Sequence, residues 1–149
     1  MTIQKYVTKQ PLEVQTFFAM VDTTAHLVAA SEKYWVSKNL NGARIRILVE
    51  IAKAGGNILP SVLAGRIGVT KANISAMLIP LEQLGYIHTA SHPEDGRKRR
   101  IILSAEGERL LHDVMPGNRE TITENMKSLD KEELKQLLSL LHKLRKKLD

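Results

Sequence analysis

Apolar residues recur at intervals of three and four over most of this chain, the spacing that places side chains on one face of an α-helix. The pattern predicts a long helix over residues 12–36 and a second helix over about residues 43–54, which Gly55 and Gly56 end. Residues 37–42 contain a turn signal between the two. The first third of the chain is therefore predicted to be helical.

Two shorter helices separated by a tight turn are predicted next. Pro60 suits the first position of a helix that ends before Gly68, and the hydroxyl of Thr70 can cap a second helix that runs to Leu84. One side of this second helix carries large apolar residues that must face the core, and the other side is small or polar. The core-facing set is Ile74, Met77, Leu78, Leu81 and Leu84, and the outward set is Ala72, Ala76, Ile79 and Gln83, with Asn73 and Ser75 on its flanks.

A β-hairpin is predicted after these helices. Residues 86–91 and 98–103 form β-type runs, and the H-P-E-D-G segment between them has proline and glycine in turn positions. Ser104 can then cap a further helix that runs through about Val114. The middle of the chain thus combines two short helices with a hairpin.

The final helix has the clearest signals. Asp130 and Glu133 form a capping box, in which each side chain bonds the other residue's backbone N–H. Its apolar stripe consists of Leu134, Leu137, Leu141, Leu144 and Leu148. Such a stripe packs either against the chain's own first helix or against a second subunit, and we expect a homodimer formed by the long terminal helices.

Two prolines fall inside predicted helices. Proline lacks a backbone N–H, and its ring crowds the carbonyl four residues earlier. We therefore predict a bend or a helix reset at Pro80. We also predict a kink or break at Pro116-Gly117, with a helical pattern resuming over residues 119–127.

The composition narrows the classes of function. The chain has 149 residues, no cysteine, a formal net charge of +6 and a pI of about 9.7. The positive net charge favours an acidic partner, and nucleic acid is the first candidate. Four consecutive basic residues occupy positions 97–100. The absence of cysteine excludes disulfides and thiolate chemistry. We expect no secretory leader and no membrane span, because the N-terminus and the rest of the chain lack the necessary apolar runs.

Three nearby segments, V-L-A-G-R-I-G-V-T-K-A-N-I-S, L-E-Q-L-G-Y-I and P-E-D-G-R-K-R-R-I-I-L-S-A-E-G, resemble the MarR family of bacterial regulators. The resemblance covers about residues 41–111 and implies a mainly α fold with a small β-hairpin wing. This winged helix-turn-helix would form a single domain over residues 1–149. Within it, residues 41–111 would be the DNA-binding lobe, and residues 12–36 and 119–149 would be the N- and C-terminal dimerisation helices.

The start of the second short helix has side chains that suit the floor of a DNA major groove. Asn73 can form paired hydrogen bonds with adenine, and Ser75 can bond to either strand. Ala72 or Ala76 can contact a thymine methyl group, whereas Lys71 suits a phosphate. Many relatives carry an arginine where this chain has Ala76, so we expect an operator that leans towards A·T pairs.

The resemblance assigns Arg97 to the DNA minor groove and Asp95 as the carboxylate that orients it. A narrow A·T-rich minor groove has a strongly negative potential, which attracts arginine. Because side chains alternate along a strand, Lys98 and Arg100 would share one side and contact DNA, and Arg99 would face the other side. The alternative interpretation of Asp95 and Arg97 is a surface ion pair.

The resemblance also implies a small aromatic or anionic effector that binds between the DNA-binding lobe and the dimerisation helices. Tyr34, Trp35 and Arg46 are the candidates by position, and packing is the alternative role of the two aromatic residues. Glu108 and His112, four residues apart, are too few ligands for a metal ion. We therefore expect no metal and no cofactor.

The predicted function is that of a dimeric, cytoplasmic, sequence-specific transcriptional regulator. It would act as a repressor that a small-molecule ligand releases from a near-palindromic site in double-stranded DNA, with no role at a membrane. We expect no enzyme activity, because no nucleophile has a nearby base and there is no phosphate-binding loop. The alternatives are a winged-helix module for protein contacts, a small-molecule-binding protein or enzyme, and a non-specific architectural DNA-binding protein.

Overall fold

The structure is a computed structural model that describes residues 1–148. Seven helices and three short strands follow one another in this part of the chain. The helices are α1 (Ile3–Thr8), α2 (Leu12–Ser37), α3 (Gly42–Lys53), α4 (Pro60–Ile67), α5 (Lys71–Gln83), α6 (Ala105–Asn125) and α7 (Lys131–Leu148). The strands are β1 (Asn57–Ile58), β2 (Ile87–Ser91) and β3 (Arg99–Leu103).

The strands form one antiparallel sheet in the order β1-β3-β2. Ile101 at the centre of β3 pairs with Ile58 of β1 and with Thr89 of β2. The hairpin of β2 and β3 is the one expected from the sequence, but the two-residue strand β1 was not predicted. A run of two residues is too short to show an alternation of apolar and polar residues. It forms a strand because β3 supplies its hydrogen-bond partners.

The core lies where α3, α4 and α5 meet the sheet. Seven large side chains there are almost completely shielded from solvent. They are Ile47, Leu48, Ile51, Leu63, Ile74, Leu81 and Ile101. Because full burial of one such side chain contributes about 1.5–3 kcal/mol, this cluster holds the short helices and the hairpin together.

The two short helices meet at a sharp angle. Gly68 adopts a φ of 86°, a left-handed conformation that is strained for other residues, and it ends α4 as predicted. The axes of α4 and α5 are bent by 101° relative to each other, which is the geometry of a helix-turn-helix. Among residues 1–148, none of the helices by itself combines the length and the apolar composition of a membrane span, and α4 and α5 reach them only as this bent pair.

The long helices α2 and α6 pack against each other through polar and small groups. The Tyr34 hydroxyl donates a 2.6 Å hydrogen bond to the backbone carbonyl of Val114, and Ser31 donates a 3.4 Å bond to the buried side chain of Asn118. A Cβ atom on Gly117 would lie within 2.9 Å of the Tyr34 ring. Glycine at position 117 therefore lets the two helices approach closely.

The fold class, mainly α with a winged helix-turn-helix and a small hairpin, is confirmed. The break that was one predicted outcome at Pro116 and the reset that was one predicted outcome at Pro80 do not occur. The helix α6 continues without a break through Pro116, and α5 continues through Pro80 without a reset. Buried residues lie on both sides of each proline, and their packing outweighs the loss of one backbone hydrogen bond.

Two further differences concern the edges of the fold. The short helix α1 was not predicted, because its amphipathic pattern is brief and none of its residues is buried. Leu84, which was assigned to the core face of α5, is 54% exposed. It is the C-terminal cap residue of α5, at the point where the chain turns away from the core.

Candidate nucleic-acid interface

The N-terminus of α5 is fixed by the residue that precedes it. Thr70 has an extended backbone, and its hydroxyl oxygen accepts a 3.2 Å hydrogen bond from the backbone N–H of Asn73. On the inner side, Ile74, Leu78 and Leu81 are buried in the core. Because the core fixes the rotation of α5 about its axis, the opposite face of its first turns must point outward.

All five residues of α5 that the sequence predicts as DNA contacts are accessible, with Ala72 and Ala76 on this outward face. The side chains of Lys71, Ala72, Asn73, Ser75 and Ala76 are exposed. The Ser75 hydroxyl donates a 3.0 Å hydrogen bond to the carbonyl of Lys71, so its oxygen remains free to accept a bond from a base. Ala72, Ser75 and Ala76 have small side chains, and the backbone of α5 can therefore approach a flat partner closely.

The turn of the wing presents one arginine far from the core. The Arg97 side chain is 94% exposed, and its Nε donates a 3.4 Å hydrogen bond to Oδ1 of Asp95. The same oxygen accepts a 3.1 Å bond from the backbone N–H of Arg97, while the backbone N–H of Lys98 donates to the carbonyl of Asp95. Asp95 thus shapes the turn and also orients the guanidinium group.

The three basic residues after Arg97 have different environments. Lys98 is exposed in the turn, whereas Arg100 is half-buried, and its Nε has no hydrogen-bond partner within the described chain. Arg99 is exposed, and its guanidinium donates a 2.9 Å bond to the Thr89 hydroxyl. Arg100 is therefore less accessible than Lys98, the other DNA contact predicted for this segment, and Arg99 is exposed.

The segment after the wing is joined tightly to the end of α5. The Ser104 hydroxyl caps α6 by accepting a 3.1 Å bond from the N–H of Gly107, and it donates a 2.5 Å bond to the carbonyl of Gly85. Gly107 is buried beside the carbonyl of Tyr86, where a Cβ would collide. The L-S-A-E-G segment therefore fixes the wing relative to the end of α5.

A second exposed surface lies on the terminal helices, remote in sequence from α5 and the wing. Neither α1 nor α7 has a buried residue, and the first half of α2 is also exposed. Large apolar side chains on these helices face solvent in the single chain. They are Ile3, Tyr6, Val7, Leu12, Phe17, Phe18, Val21, Val28, Leu134, Leu137, Leu138, Leu140, Leu141, Leu144 and Leu148. An apolar surface of this extent marks an interaction site.

The three candidate effector residues are not brought together. Trp35 is a buried core residue, and Tyr34 packs against it edge to face, with ring centroids 4.9 Å apart. Arg46 is exposed on α3, where its guanidinium donates to the carbonyl of Arg66. The aromatic pair lines neither of the two principal grooves, and its environment favours the packing role.

The larger groove lies between α3 and α6 and has a volume of about 770 Å³. Its lining includes Val49, Leu111 and Met115. Glu108 and His112 also lie there, with Oε1 and Nε2 3.9 Å apart and both side chains exposed. Among residues 1–148, no three histidine, aspartate or glutamate side chains are grouped so that they could hold a metal ion.

Comparison with known proteins identifies relatives of this chain. Residues 38–98, from the turn before α3 to the wing, match the model of the MarR family. The chain is 30% identical to the HTH-type transcriptional repressor YetL of Bacillus subtilis (strain 168) over 129 residues, which are 86% of this chain and 77% of YetL.

Solved structures share the fold. Sco3205, a MarR family transcriptional regulator from Streptomyces coelicolor solved in complex with DNA, is similar with a TM-score of 0.84 and 19% identity, covering 95% of this chain and 91% of that one. The RdhR-CbdbA1625 transcriptional regulator, solved with bound 2,4-dichlorophenol, has a TM-score of 0.83 and 24% identity, covering 94% of this chain and 83% of that one. With the bent helix pair, the wing and the match to YetL, these findings show that the chain belongs to the MarR family of transcriptional regulators.

Proposed function

We propose that this protein is a dimeric, sequence-specific DNA-binding regulator that represses transcription by occluding a promoter. The observation that carries the proposal is the pairing of an outward, small-residue face on α5 with the exposed Arg97 of the wing. The match to a relative named as a transcriptional repressor supports repression of transcription rather than activation. Such a bacterial regulator acts in the cytoplasm, where the chromosome lies.

In the proposed complex, the first turns of α5 occupy the major groove and the wing follows the adjacent minor groove. Asn73 contacts adenine, Ser75 accepts a bond from a base, and Lys71 neutralises a phosphate. Arg97 enters the minor groove, where its orientation by Asp95 lowers the entropy lost on binding. Because Ala76 offers only a methyl group, the operator should lean towards A·T pairs.

We propose that the exposed apolar surface of the terminal helices is the dimer interface. Residues 12–36 and 119–149 would then form the dimerisation region, and residues 41–111 the DNA-binding lobe. A twofold axis through this region would present two copies of α5 and two wings to one face of a duplex. The operator would accordingly be near-palindromic, with half-sites about 10 base pairs apart.

We also propose that a small molecule releases the regulator from DNA. The larger groove is the better candidate site, because it lies where α3 of the DNA-binding lobe meets α6, which continues into the dimerisation region. A ligand that wedges between these helices would change the separation of the two lobes in a dimer. A MarR-fold neighbour solved with 2,4-dichlorophenol supports effector binding by this architecture.

A titration of the purified protein against mixed-sequence duplex at two salt concentrations tests the DNA-binding proposal. Phosphate contacts release counterions, so we expect affinity to fall by about 10³-fold or more between 50 and 200 mM salt if roughly six or more phosphates are contacted. Fluorescence anisotropy would measure the change. Absent or salt-independent binding would instead favour a winged-helix module that contacts proteins.

Asn73→Ala should relax the sequence preference at one base position in each half-site. Loss of a paired hydrogen bond to adenine removes about 1–3 kcal/mol of discrimination at that position. Gln83→Ala provides a matched control, because Gln83 is exposed on the same helix but near its C-terminus. Competition binding with single-base operator variants would measure the preference, and an Asn73→Ala profile identical to that of the control would contradict the assignment.

A further inference from the structure

Two grooves meet along α3. The larger groove, of about 770 Å³, and a second groove, of about 630 Å³, share Val49 and Lys53 in their linings. Both shared residues lie on α3, so the two grooves adjoin along this helix.

The larger groove has an apolar lining and no strong charge preference. Its apolar contacts come from α3, the end of β3 and α6, and include Val49, Ala52, Leu103, Leu111, Met115 and Pro116. The ionisable side chains are mixed in sign: Lys53, His112 and Arg119 oppose Glu108 and Glu120. This groove suits the apolar body of a ligand more than an anionic group.

The second groove is strongly basic. Four cationic side chains, Arg46, Lys53, Arg66 and Arg145, surround a single carboxylate, Glu50. They come from α3, α4 and α7, so elements distant in sequence converge on one point. Like charges repel, and a cluster with this excess of cations is stabilised when a multivalent anion binds.

Hydrogen bonds and ion pairs order this basic cluster before any ligand binds. The Glu50 side chain is only 13% exposed, and its carboxylate lies 3.2 Å from Nζ of Lys53 and 3.9 Å from Nη1 of Arg66. Arg46 donates through Nη2 to the carbonyl of Arg66 at 3.3 Å. The cationic groups are thus partly preorganised, which lowers the entropy cost of binding an anion.

We infer that the two grooves together form the effector site, and that the effector is an apolar organic group joined to a multiply charged phosphate-bearing head. This inference rests on the proposed ligand-responsive function and specifies the chemical class of its ligand. The apolar body lies between α3 and α6, and the phosphate groups lie among the arginine residues. Lys53 stands at the junction of the two parts.

A phosphate head fits the basic groove better than a simple carboxylate. A carboxylate carries one negative charge, whereas each phosphate monoester carries about −1.5 to −2 and offers three acceptor oxygens. Planar guanidinium groups bond such oxygens in pairs. A free apolar acid would leave most of the cationic excess uncompensated.

Calorimetric titration of the full-length protein without DNA would test the assignment with octanoate, coenzyme A and octanoyl-coenzyme A as probes. We expect octanoyl-coenzyme A to bind at least about tenfold more tightly than either fragment, because it alone fills both grooves. Arg66→Ala should remove this advantage and leave octanoate binding unchanged. Ala52→Trp, which fills the apolar groove, should weaken octanoyl-coenzyme A binding but not coenzyme A binding.

Arg44→Ala is the matched control, because Arg44 is exposed on α3 but lines neither groove. Equal affinity for octanoate and octanoyl-coenzyme A, or no binding of the thioester, would overturn the inference. It would also be overturned if Arg66→Ala weakened DNA binding without affecting the thioester, since the cluster would then contact the DNA backbone. Ligand and DNA titrations are separate, so a failure of DNA binding would be recognised independently.

Discussion

Arg97→Ala is expected to weaken operator binding by about 100-fold or more while leaving the fold intact. The side chain is almost fully exposed, and its one side-chain hydrogen bond is to Asp95 at the same turn, so its removal should not affect the core. A hydrogen bond to a charged group contributes about 1.5–3 kcal/mol, and a dimer would lose two such arginine contacts. A gel-shift titration would measure the loss, and thermal unfolding would check the fold.

Arg109→Ala controls for the change in net charge, because Arg109 is an exposed arginine on α6 that pairs with Glu106 outside α5 and the wing. The control should lose at most a small, non-specific part of the affinity. If Arg97→Ala bound the operator as tightly as the control, the wing would not contact DNA, and the Asp95–Arg97 pair would be a feature of the surface alone.

The combined substitution Leu137→Glu and Leu141→Glu is expected to convert the proposed dimer into monomers and to abolish cooperative operator binding. Both leucines lie on the apolar stripe of α7, where they are 37% and 40% exposed in the single chain. Burying a leucine contributes about 1.5–3 kcal/mol, and the double variant would place four charges in a symmetric interface. Sedimentation equilibrium would measure the change in mass.

Ser139→Glu offers a matched control on the same helix, because residue 139 lies about 200° around the axis from residue 137 at 100° per residue. We expect this variant to remain dimeric. A wild-type protein that sediments as a monomer, or a double variant that still dimerises, would mean that the stripe packs only within its own subunit and that the proposed interface is elsewhere.

Local signals predicted the helix-turn-helix and the wing well because their geometry is set by a few neighbouring atoms. Thr70 and Ser104 both cap helices as expected, and Gly68 supplies the left-handed turn between α4 and α5. Each of these residues forms a hydrogen bond with a backbone group three or four positions away, so its role can be recognised in the sequence. The core face of α5 was predicted for the same reason, apart from Leu84 at its end.

Features that depend on distant packing were predicted less well. A kink or a break was expected at Pro116-Gly117, and contacts of α6 with α2 and α3 keep the helix from breaking. The strand β1 exists only because β3 lies beside it. The effector candidates Tyr34 and Trp35 were chosen for their position near the end of the first helix, and the structure shows that neighbours from other elements surround them. The groove between α3 and α6 has no signature in the sequence because it is formed by side chains more than fifty positions apart.

Selection of bound sequences from a random duplex pool would test the central claim most directly. A symmetric pair of α5 helices and wings should enrich a near-palindromic motif with A·T-leaning half-sites about 10 base pairs apart. Recovery of that motif by the wild-type protein, and its loss with Arg97→Ala, is the predicted result. A pool that shows no enrichment, or only an unpaired half-site, would contradict the proposal that two copies of this chain bind one operator.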